Sequence, residues 1–236
     1  MNGANATQLR LPVLISFSGI DGAGKSTQIE KFCRRLSQAG LSVKQLTFWD
    51  DVVPLARLRA GFSHEFLDNE DGIGAPDKPV YRNDKNVRPW YLSFARSALY
   101  LMDALCLRRA VAAARKSAPD VIVFDRYIYD QLAVLPIECG LARVCMRLIL
   151  ELVPVPAVAY LLDADPEAAC KRKPEYPVDF LQQYRSTYLR LQPIAGLVLI
   201  PPLPVEDVHD AIMEKLERVC RLRIARPTFR PGTFAG

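Results

Sequence analysis

The sequence predicts an α/β fold in which a five-stranded parallel sheet lies between layers of helices. Short, continuous apolar segments alternate with longer segments whose apolar residues recur at helical spacing. Uninterrupted apolar runs of this length are typical of strands that are buried on both faces. A chain of 236 residues, half of them hydrophobic, is long enough to bury one sizeable core. No second domain is therefore required.

Five apolar runs are predicted to form the strands. They are Val13 to Phe17, Leu41 to Phe48, Val121 to Phe124, Ala157 to Leu162 and Leu197 to Ile200. Helical spacing predicts six helices between and after them. These lie between Gly24 and Gly40, from Trp90 to about Lys116, from about Leu141 to Leu152, from Asp165-Pro166 to Lys173, from Val178 to Leu191, and around Val208 to Val219. Aspartate as N-cap and proline in the first turn mark the start of the fourth helix.

Two segments are predicted to lack regular structure. The stretch from about Trp49 to Pro89 is polar and contains prolines and glycines, and its centre, Asp68 to Pro79, shows no periodicity. Residues Arg221 to Gly236 are expected to form a basic, disordered tail. We therefore expect a single domain over residues 1–222 and a flexible tail over residues 223–236.

The chain is organised around a glycine-rich turn after the first strand. Gly19-Ile-Asp-Gly-Ala-Gly-Lys-Ser-Thr27 has a glycine, four residues and then Gly-Lys-Ser, a pattern whose backbone N–H groups cradle a phosphate. Lys25 would reach the β- and γ-phosphates of a nucleotide, and the Ser26 hydroxyl would bind Mg²⁺. The following helix would add its positive N-terminal end. The alternative is a glycine-rich turn without a ligand.

This motif predicts a three-layer P-loop NTPase fold that binds a nucleotide and Mg²⁺. The required context is present, because a buried strand precedes the turn and an amphipathic helix follows it. The predicted cofactor-binding residues are Gly19, Ile20, Asp21, Gly22, Ala23, Gly24, Lys25, Ser26 and Thr27.

Polar residues also follow the third predicted strand. Asp125-Arg126-Tyr127 comes directly after an apolar run, so the sheet should deliver these residues at its carboxyl edge, where open α/β sheets bind ligands. Asp125 and Arg126 would otherwise form a structural ion pair at the end of the strand. Both interpretations remain open from the sequence.

Composition argues against several classes of function. The net charge of +5 is mild, and the basic residues do not form a run with interleaved aromatics, so nucleic acid is not an expected partner. Six scattered cysteines, mostly in apolar helical stretches, predict reduced core thiols and a cytoplasmic protein. Two histidines and no Cys-x-x-Cys argue against a zinc site. Charges and prolines interrupt the apolar stretch from Leu141 to Leu162, so no membrane span is expected.

Taken together, these motifs resemble those of the thymidylate kinases. Phe17-Ser-Gly-Ile-Asp-Gly-Ala-Gly-Lys-Ser-Thr-Gln28 is similar to the opening of that family, with an aspartate inside the loop and Thr-Gln after it. Asp125-Arg126-Tyr127 is similar to the family's Asp-Arg-aromatic motif. Leu162-Asp-Ala-Asp-Pro166, a basic segment and a Tyr-Arg helix resemble the region leading through its phosphate-covering lid. The resemblance spans Val13 to Leu191 in order.

The resemblance implies transfer of the γ-phosphoryl group of Mg-ATP to a nucleoside monophosphate, with dTMP as the expected acceptor. Asp21 would help to order the acceptor side and the magnesium shell. Arg126 would bind the acceptor phosphate, beside Asp125 and Tyr127. Phe94-Ala95-Arg96 resembles the helix whose arginine reads the acceptor base. The acceptor-side segment would cover about residues 49–89, and the lid about residues 171–178.

The loop has Gly22 where some relatives of the family have an arginine, so the lid would have to supply the catalytic cation. Lys171, Arg172 and Lys173 are the candidates, although cations are also favoured at a helix end by the helix dipole alone. Arg96 has a similar alternative as a solvated residue. The predicted catalytic residues are Lys25, Asp21, Arg126 and Arg172, and the predicted metal ligands are Ser26 and Asp21. Family members are commonly dimers through long helices, which makes the helix from Trp90 to Lys116 a candidate for a homodimer contact.

The sequence departs from the family on the acceptor side. Thr47-Phe-Trp-Asp-Asp-Val-Val-Pro54 stands where the family usually has Arg-Glu-Pro followed by glycines. Two alternatives therefore stay open. One is a kinase of the same scaffold that acts on a nucleoside or on another small hydroxyl or phosphate compound. The other is a nucleotide-dependent regulatory protein with little turnover.

Overall fold

The computed structural model describes residues 12–53, 90–136 and 139–220, with the side chains of residues 90–97 and 220 excepted. The predicted five-stranded parallel sheet is confirmed. Its strands are β1 (Val13–Ser18), β2 (Val43–Thr47), β3 (Val121–Asp125), β4 (Val158–Leu162) and β5 (Val198–Ile200). Their order across the sheet is β2-β3-β1-β4-β5. Each strand begins and ends within about two residues of the bounds that its apolar run predicts.

The described helices are α1 (Lys25–Gln38), α2 (Trp90–Lys116), α3 (Tyr129–Leu132), α4 (Gly140–Leu152), α5 (Pro166–Arg172), α6 (Val178–Ala195) and α7 (Val205–Cys220). The sequence pattern predicts all of these except α3, which is a single turn. Helix α5 begins as expected, because the Asp165 carboxylate accepts a hydrogen bond from the Ala168 amide at 2.9 Å and Pro166 occupies the first position.

The core lies in two layers, one on each face of the sheet. Alternation along β1 sends Leu14 to one layer and Ile15 and Phe17 to the other. Helices α1 and α7 cover the Ile15 face, whereas α2, α4 and α6 cover the Leu14 face. The central strands are thus buried on both sides, as their continuous apolar runs predict. This arrangement leaves their polar carboxyl ends together at one edge.

Two expectations need correction. The segment that is predicted to be irregular from Trp49 begins with a π-helical turn over Phe48–Val52, in which the Asp51 carboxylate accepts a hydrogen bond from the Thr47 amide at 2.6 Å. The five described cysteines are free thiols, but none of them belongs to the buried core. Four of them are partly buried, as Cys33 is beside the fully buried Phe32, and Cys139 is exposed.

The predicted loop around Asp68 to Pro79 and the tail over residues 223–236 lie outside the described residues. The expectation of one domain over residues 1–222 stays a prediction. In the part of the chain that the structure describes, no helix has the length and apolar character needed to cross a membrane.

Candidate active site at the carboxyl edge of the sheet

The phosphate loop joins β1 to α1, and it is packed closely against neighbouring backbone. A Cβ atom at Gly19 would stand 2.4 Å from the carbonyl oxygen of Leu162, and one at Gly22 would stand 2.3 Å from that of Ala169. Gly22 also has a φ of +78°, which L-residues rarely adopt. These contacts seat the loop against β4 and α5. They also explain why Gly22 is not a larger residue here.

Lys25 begins α1, and its side chain folds back over the loop. Its ammonium group donates hydrogen bonds to the carbonyl oxygens of Gly19 at 2.9 Å and Ile20 at 2.8 Å. Burial lowers the pKa of Lys25 to about 8, and the nearby Arg126 guanidinium acts in the same direction. The first turn of α1 contains no acidic residue that would oppose an anion. A phosphate at the loop would therefore meet a lysine that is already in place.

Arg126 directly follows β3 at the same edge. Its backbone lies in the left-handed region with a φ of 65°, and its amide donates to the carbonyl oxygen of Phe17 at 2.9 Å. The guanidinium forms ion pairs with Asp21 of the phosphate loop and with Asp130 of α3, the latter at 2.9 Å. Burial alone would lower the pKa of Arg126, but the two carboxylates outweigh it and raise that pKa well above its ordinary value.

Asp125 is the last residue of β3, where it lies in register with Phe17 of β1 and Thr47 of β2. Burial raises the pKa of Asp125, and the charges of Lys25 and Arg126 oppose that effect. The alternative of an Asp125–Arg126 ion pair does not describe the structure, because Arg126 pairs with Asp21 and Asp130 instead. Asp125 is thus a partly buried carboxylate in the field of two cations.

The donor atoms at this edge fit magnesium. Ser26 and Thr27 are exposed at the start of α1, and Asp21 and Asp125 lie close enough to Lys25 to influence its charge. Hydroxyl and carboxylate oxygens are ligands that Mg²⁺ prefers. Within the described ranges, no three His, Cys, Asp or Glu side chains are grouped to hold a metal by themselves. Such a set suits an ion that is bound mainly through phosphates.

Tyr127 does not reach this site, contrary to the expectation that it binds substrate. Its side chain is fully buried, its hydroxyl donates to the carbonyl oxygen of Pro154 at 2.5 Å, and its ring packs edge-on against Phe124. The reason is the path of the backbone after β3, which directs the Arg126 side chain toward the phosphate loop and the Tyr127 side chain into the core. Arg96 lies on the α2 backbone, but its side chain is outside the described residues. Its role stays a prediction.

Helix α5 and its C-cap residue Lys173 carry the basic residues that are predicted to form the lid. The close approach of Ala169 to Gly22 places this helix directly beside the phosphate loop. Arg172 donates to the carbonyl oxygen of Ala168 at 3.2 Å, and Lys173 pairs with Glu175 at 3.1 Å. These exposed contacts are typical of the end of a helix. The catalytic role of Arg172 therefore stays a prediction.

Comparison with known proteins gives relatives over most of the chain, although no protein-family model matches it. The sequence is 24% identical over 219 residues to a probable thymidylate kinase of Archaeoglobus fulgidus, covering 89% of this chain and 98% of that protein. It is 26% identical over 216 residues to a probable thymidylate kinase of Methanosphaera stadtmanae, covering 88% and 99%. It is 27% identical over 246 residues to a thymidylate kinase of Chlorobium chlorochromatii, covering 90% and 98%. The chain is thus similar, at low identity and over most of its length, to thymidylate kinases.

The thymidylate kinase fold extends over the whole described sheet. The solved structure of thymidylate kinase from Candida albicans superposes with a TM-score of 0.57 at 18% identity, covering 88% of this chain and 92% of that chain. Because the relatives match over nearly their full lengths, the similarity is not confined to the phosphate loop.

One residue of the site, Asp130, is not predicted from the sequence. Asp130 is buried on α3, where it accepts hydrogen bonds from Ser18 and Tyr188 as well as from Arg126. Its partners on β1 and α6 are 112 and 58 residues away in sequence, so no local spacing marks it. One feature of the sequence points to Asp130: it is an aspartate within an apolar segment. A charge that is buried there requires hydrogen-bonding or charged partners.

Proposed function

We propose that the protein is an ATP-dependent kinase that transfers the γ-phosphoryl group to a nucleoside monophosphate, with dTMP as the acceptor. The proposal depends on one observation: Arg126 forms an ion pair with Asp21 of the phosphate loop, the same loop over which the Lys25 side chain folds. Two cations therefore stand at the edge where a donor and an acceptor phosphate would meet. Phosphoryl transfer requires little covalent chemistry, so positioned cations are what such a site must provide. The distant thymidylate kinases support the choice of acceptor.

Each described residue has a separate role in this proposal. Lys25 and the loop amides would bind the phosphates of ATP, and Arg126 would bind the acceptor phosphate. The Ser26 hydroxyl, with Asp21 or Asp125, would help to hold Mg²⁺, which would neutralise charge on the phosphates. Arg172, on the helix that contacts Gly22, would supply a further cation.

The test is ADP release with Mg-ATP against dTMP, other nucleoside monophosphates, thymidine and a blank without acceptor. We expect dTMP to stimulate ADP release at least about tenfold over the blank, because transfer needs an acceptor phosphate at Arg126. Arg126→Ala should retain ATP binding and lose the stimulation. Arg218→Ala is the matched control, since Arg218 is an exposed arginine that pairs with Glu214 on α7. Slow ADP release that no acceptor changes would refute the proposal and favour a regulatory protein.

A second candidate, a kinase for the hydroxyl group of a nucleoside, has its own support. Strand pairing sets Thr47 beside Asp125, so the acids at positions 50 and 51 enter the same edge. Asp50 is exposed there, whereas the Asp51 carboxylate is engaged by the Thr47 amide. A hydroxyl acceptor benefits from a carboxylate base, which a phosphate acceptor does not need. Stimulation by thymidine without stimulation by dTMP would favour this candidate.

We also propose that the protein forms a homodimer through α2 and α4. These helices pack against each other, and both present apolar side chains to solvent at helical spacing. The residues are Leu99, Met102, Leu105, Leu141, Val144 and Leu148. Burial of such stripes by a second copy would remove apolar area from water. Sedimentation velocity should show a dimer that Val144→Glu converts to a monomer, while Leu203→Glu, exposed after β5, leaves it intact.

A cytoplasmic location completes the proposal. The described cysteines are free thiols, which persist in a reducing compartment. Nucleotides are the only partners that the proposed reaction requires besides Mg²⁺.

A further inference from the structure

Four hydrogen-bond donors surround the side chain of Asp130. The carboxylate is fully buried. Its Oδ1 atom accepts from the Arg126 guanidinium at 2.9 Å and from the Tyr188 hydroxyl at 2.5 Å. Its Oδ2 atom accepts from the Ser18 hydroxyl at 2.8 Å and from the Tyr127 amide at 3.3 Å. Groups from β1, the β3–α3 connection and α6 thus hold one carboxylate in one orientation.

The charge of Asp130 compensates the cation that contacts it, Arg126, and it also raises the pKa of the nearby Lys25. Burying a carboxylate is costly unless the charge is paired and hydrogen-bonded. Of its four donors, the Ser18 hydroxyl, the Tyr188 hydroxyl and the Tyr127 amide are neutral, and a neutral acceptor would satisfy them. Only the Arg126 guanidinium carries a charge that a carboxylate compensates.

Arg126 needs external support to keep one conformation. Its left-handed backbone is a sparsely populated conformation that persists only where its surroundings fix it. A long arginine side chain also loses considerable rotamer freedom when it is held in one place. Asp21 holds the guanidinium from the phosphate loop, whereas Asp130 holds it from the buried core. The two carboxylates together define where the charge of Arg126 lies.

We propose that Asp130 is a positioning residue that sets the Arg126 guanidinium for the phosphate of the acceptor. This inference rests on the proposed function of Arg126 as the acceptor-phosphate ligand. Asp130 acts through Arg126, and Tyr188 and Ser18 keep the carboxylate of Asp130 in place. Substitution of Asp130 should therefore weaken acceptor binding more than ATP binding.

The first test separates the two substrates. Asp130→Asn keeps the size of the side chain but removes its charge and one acceptor oxygen. At pH 7, below the pKa of Lys25, we expect the KM for the acceptor monophosphate to rise at least about tenfold while the KM for ATP stays within about twofold. The matched control is Asp120→Asn. Asp120 accepts hydrogen bonds from Ser42 at the opposite edge of the sheet, so both KM values should stay unchanged. Equal changes of both KM values, together with a lower Tm, would indicate a purely structural role and overturn the proposal.

The second test needs no acceptor. Phenylglyoxal modifies arginine side chains, and mass spectrometry of the Arg126 peptide gives the rate of its modification. We expect this rate to rise several-fold in Asp130→Asn and to stay unchanged in Asp120→Asn. Tyr188→Phe removes one hydrogen bond to Asp130 without removing its charge, and we expect a smaller increase. If Asp130→Asn does not fold, the modification rate of Arg126 in Tyr188→Phe decides the test.

The two tests distinguish the failure of each proposal. If no monophosphate is phosphorylated but the modification of Arg126 accelerates in Asp130→Asn or Tyr188→Phe, the proposed function is wrong and the anchoring of Arg126 by Asp130 stands. An unchanged rate of modification in the folded variants would overturn the anchoring, whichever acceptor is used.

Discussion

ATP binding should be accompanied by uptake of a proton on Lys25 near pH 8. Burial holds the pKa of this lysine at about 8, against an ordinary value of 10.5. The ammonium is satisfied by two loop carbonyl groups, which compensate its charge only in part. The phosphates of ATP would bring negative charge to the same place, which favours the protonated form and raises the pKa again. Binding and protonation are therefore coupled.

The size of the effect follows from the two pKa values. At pH 8 the free protein carries about half a proton on Lys25, and the complex, with a pKa restored to 10.5 or above, carries about one. Uptake should thus be about 0.1 proton at pH 7, about 0.5 at pH 8 and about 0.9 at pH 9. The affinity for ATP should fall roughly tenfold per pH unit above pH 8, because neutral Lys25 must first gain its proton.

The assay is isothermal titration calorimetry of ATP in buffers with different ionisation enthalpies at each pH. The slope of the apparent enthalpy against the buffer enthalpy gives the number of protons taken up. Lys25→Arg is the control, because a guanidinium stays protonated throughout this range and its slope should be near zero. A slope near zero for the wild-type protein at pH 8 and pH 9 would refute the argument that Lys25 is buried with a lowered pKa.

Three further substitutions test the packing around the site. Gly22→Ala should destabilise the protein by at least about 2 kcal/mol and abolish ATP binding, because the added Cβ meets a backbone oxygen of α5 at 2.3 Å. Gly24→Ala is the control: its Cβ would have no atom within 4 Å, so the substitution should cost only about 1–2 kcal/mol for the left-handed backbone. Equal losses of unfolding free energy in urea would contradict this difference. Tyr127→Phe should lower stability by about 1 kcal/mol through loss of one hydrogen bond and leave both KM values unchanged, whereas a raised acceptor KM would restore Tyr127 as a substrate ligand. Asp165→Ala should cost about 0.5–2 kcal/mol by removing the N-cap of α5, and an unchanged Tm would show that the cap contributes nothing.

The sheet was predictable because each of its strands carries its own local signal. Continuous apolar runs such as Val121 to Phe124 identify buried parallel strands without reference to the rest of the chain. The phosphate loop is equally local, since its glycines, Lys25 and Ser26 are contiguous. The N-cap at Asp165 follows the same rule, because capping depends on neighbours three residues away.

The contacts between distant residues could be predicted only in part. Sheet topology brings Asp21 and Arg126 to one edge, but the ion pair between them depends on the left-handed backbone at Arg126, which no spacing reveals. The inward orientation of Tyr127 and the burial of Asp130 are set by packing against residues such as Pro154 and Tyr188. Sequence patterns report periodicity along one element, and these contacts join several elements.

The π-helical turn after β2 was missed for a related reason. Its five residues mix the buried Phe48 and Val52 with an exposed tryptophan and two exposed acids, in a segment too short for a periodic signal. The turn directly follows β2, whose last residue pairs with Asp125, and so it places Asp50 and Asp51 near the carboxyl edge of the sheet.

Equilibrium binding of dTMP and of thymidine to the wild-type protein and to Arg126→Ala tests most directly whether Arg126 holds the acceptor phosphate. If Arg126 holds the acceptor phosphate, the substitution should weaken dTMP binding by about 2–5 kcal/mol, which is at least about thirtyfold, and change thymidine binding less than about threefold. An equal effect on both ligands, or tighter binding of thymidine than of dTMP by the wild-type protein, would contradict the assignment of a monophosphate to this site.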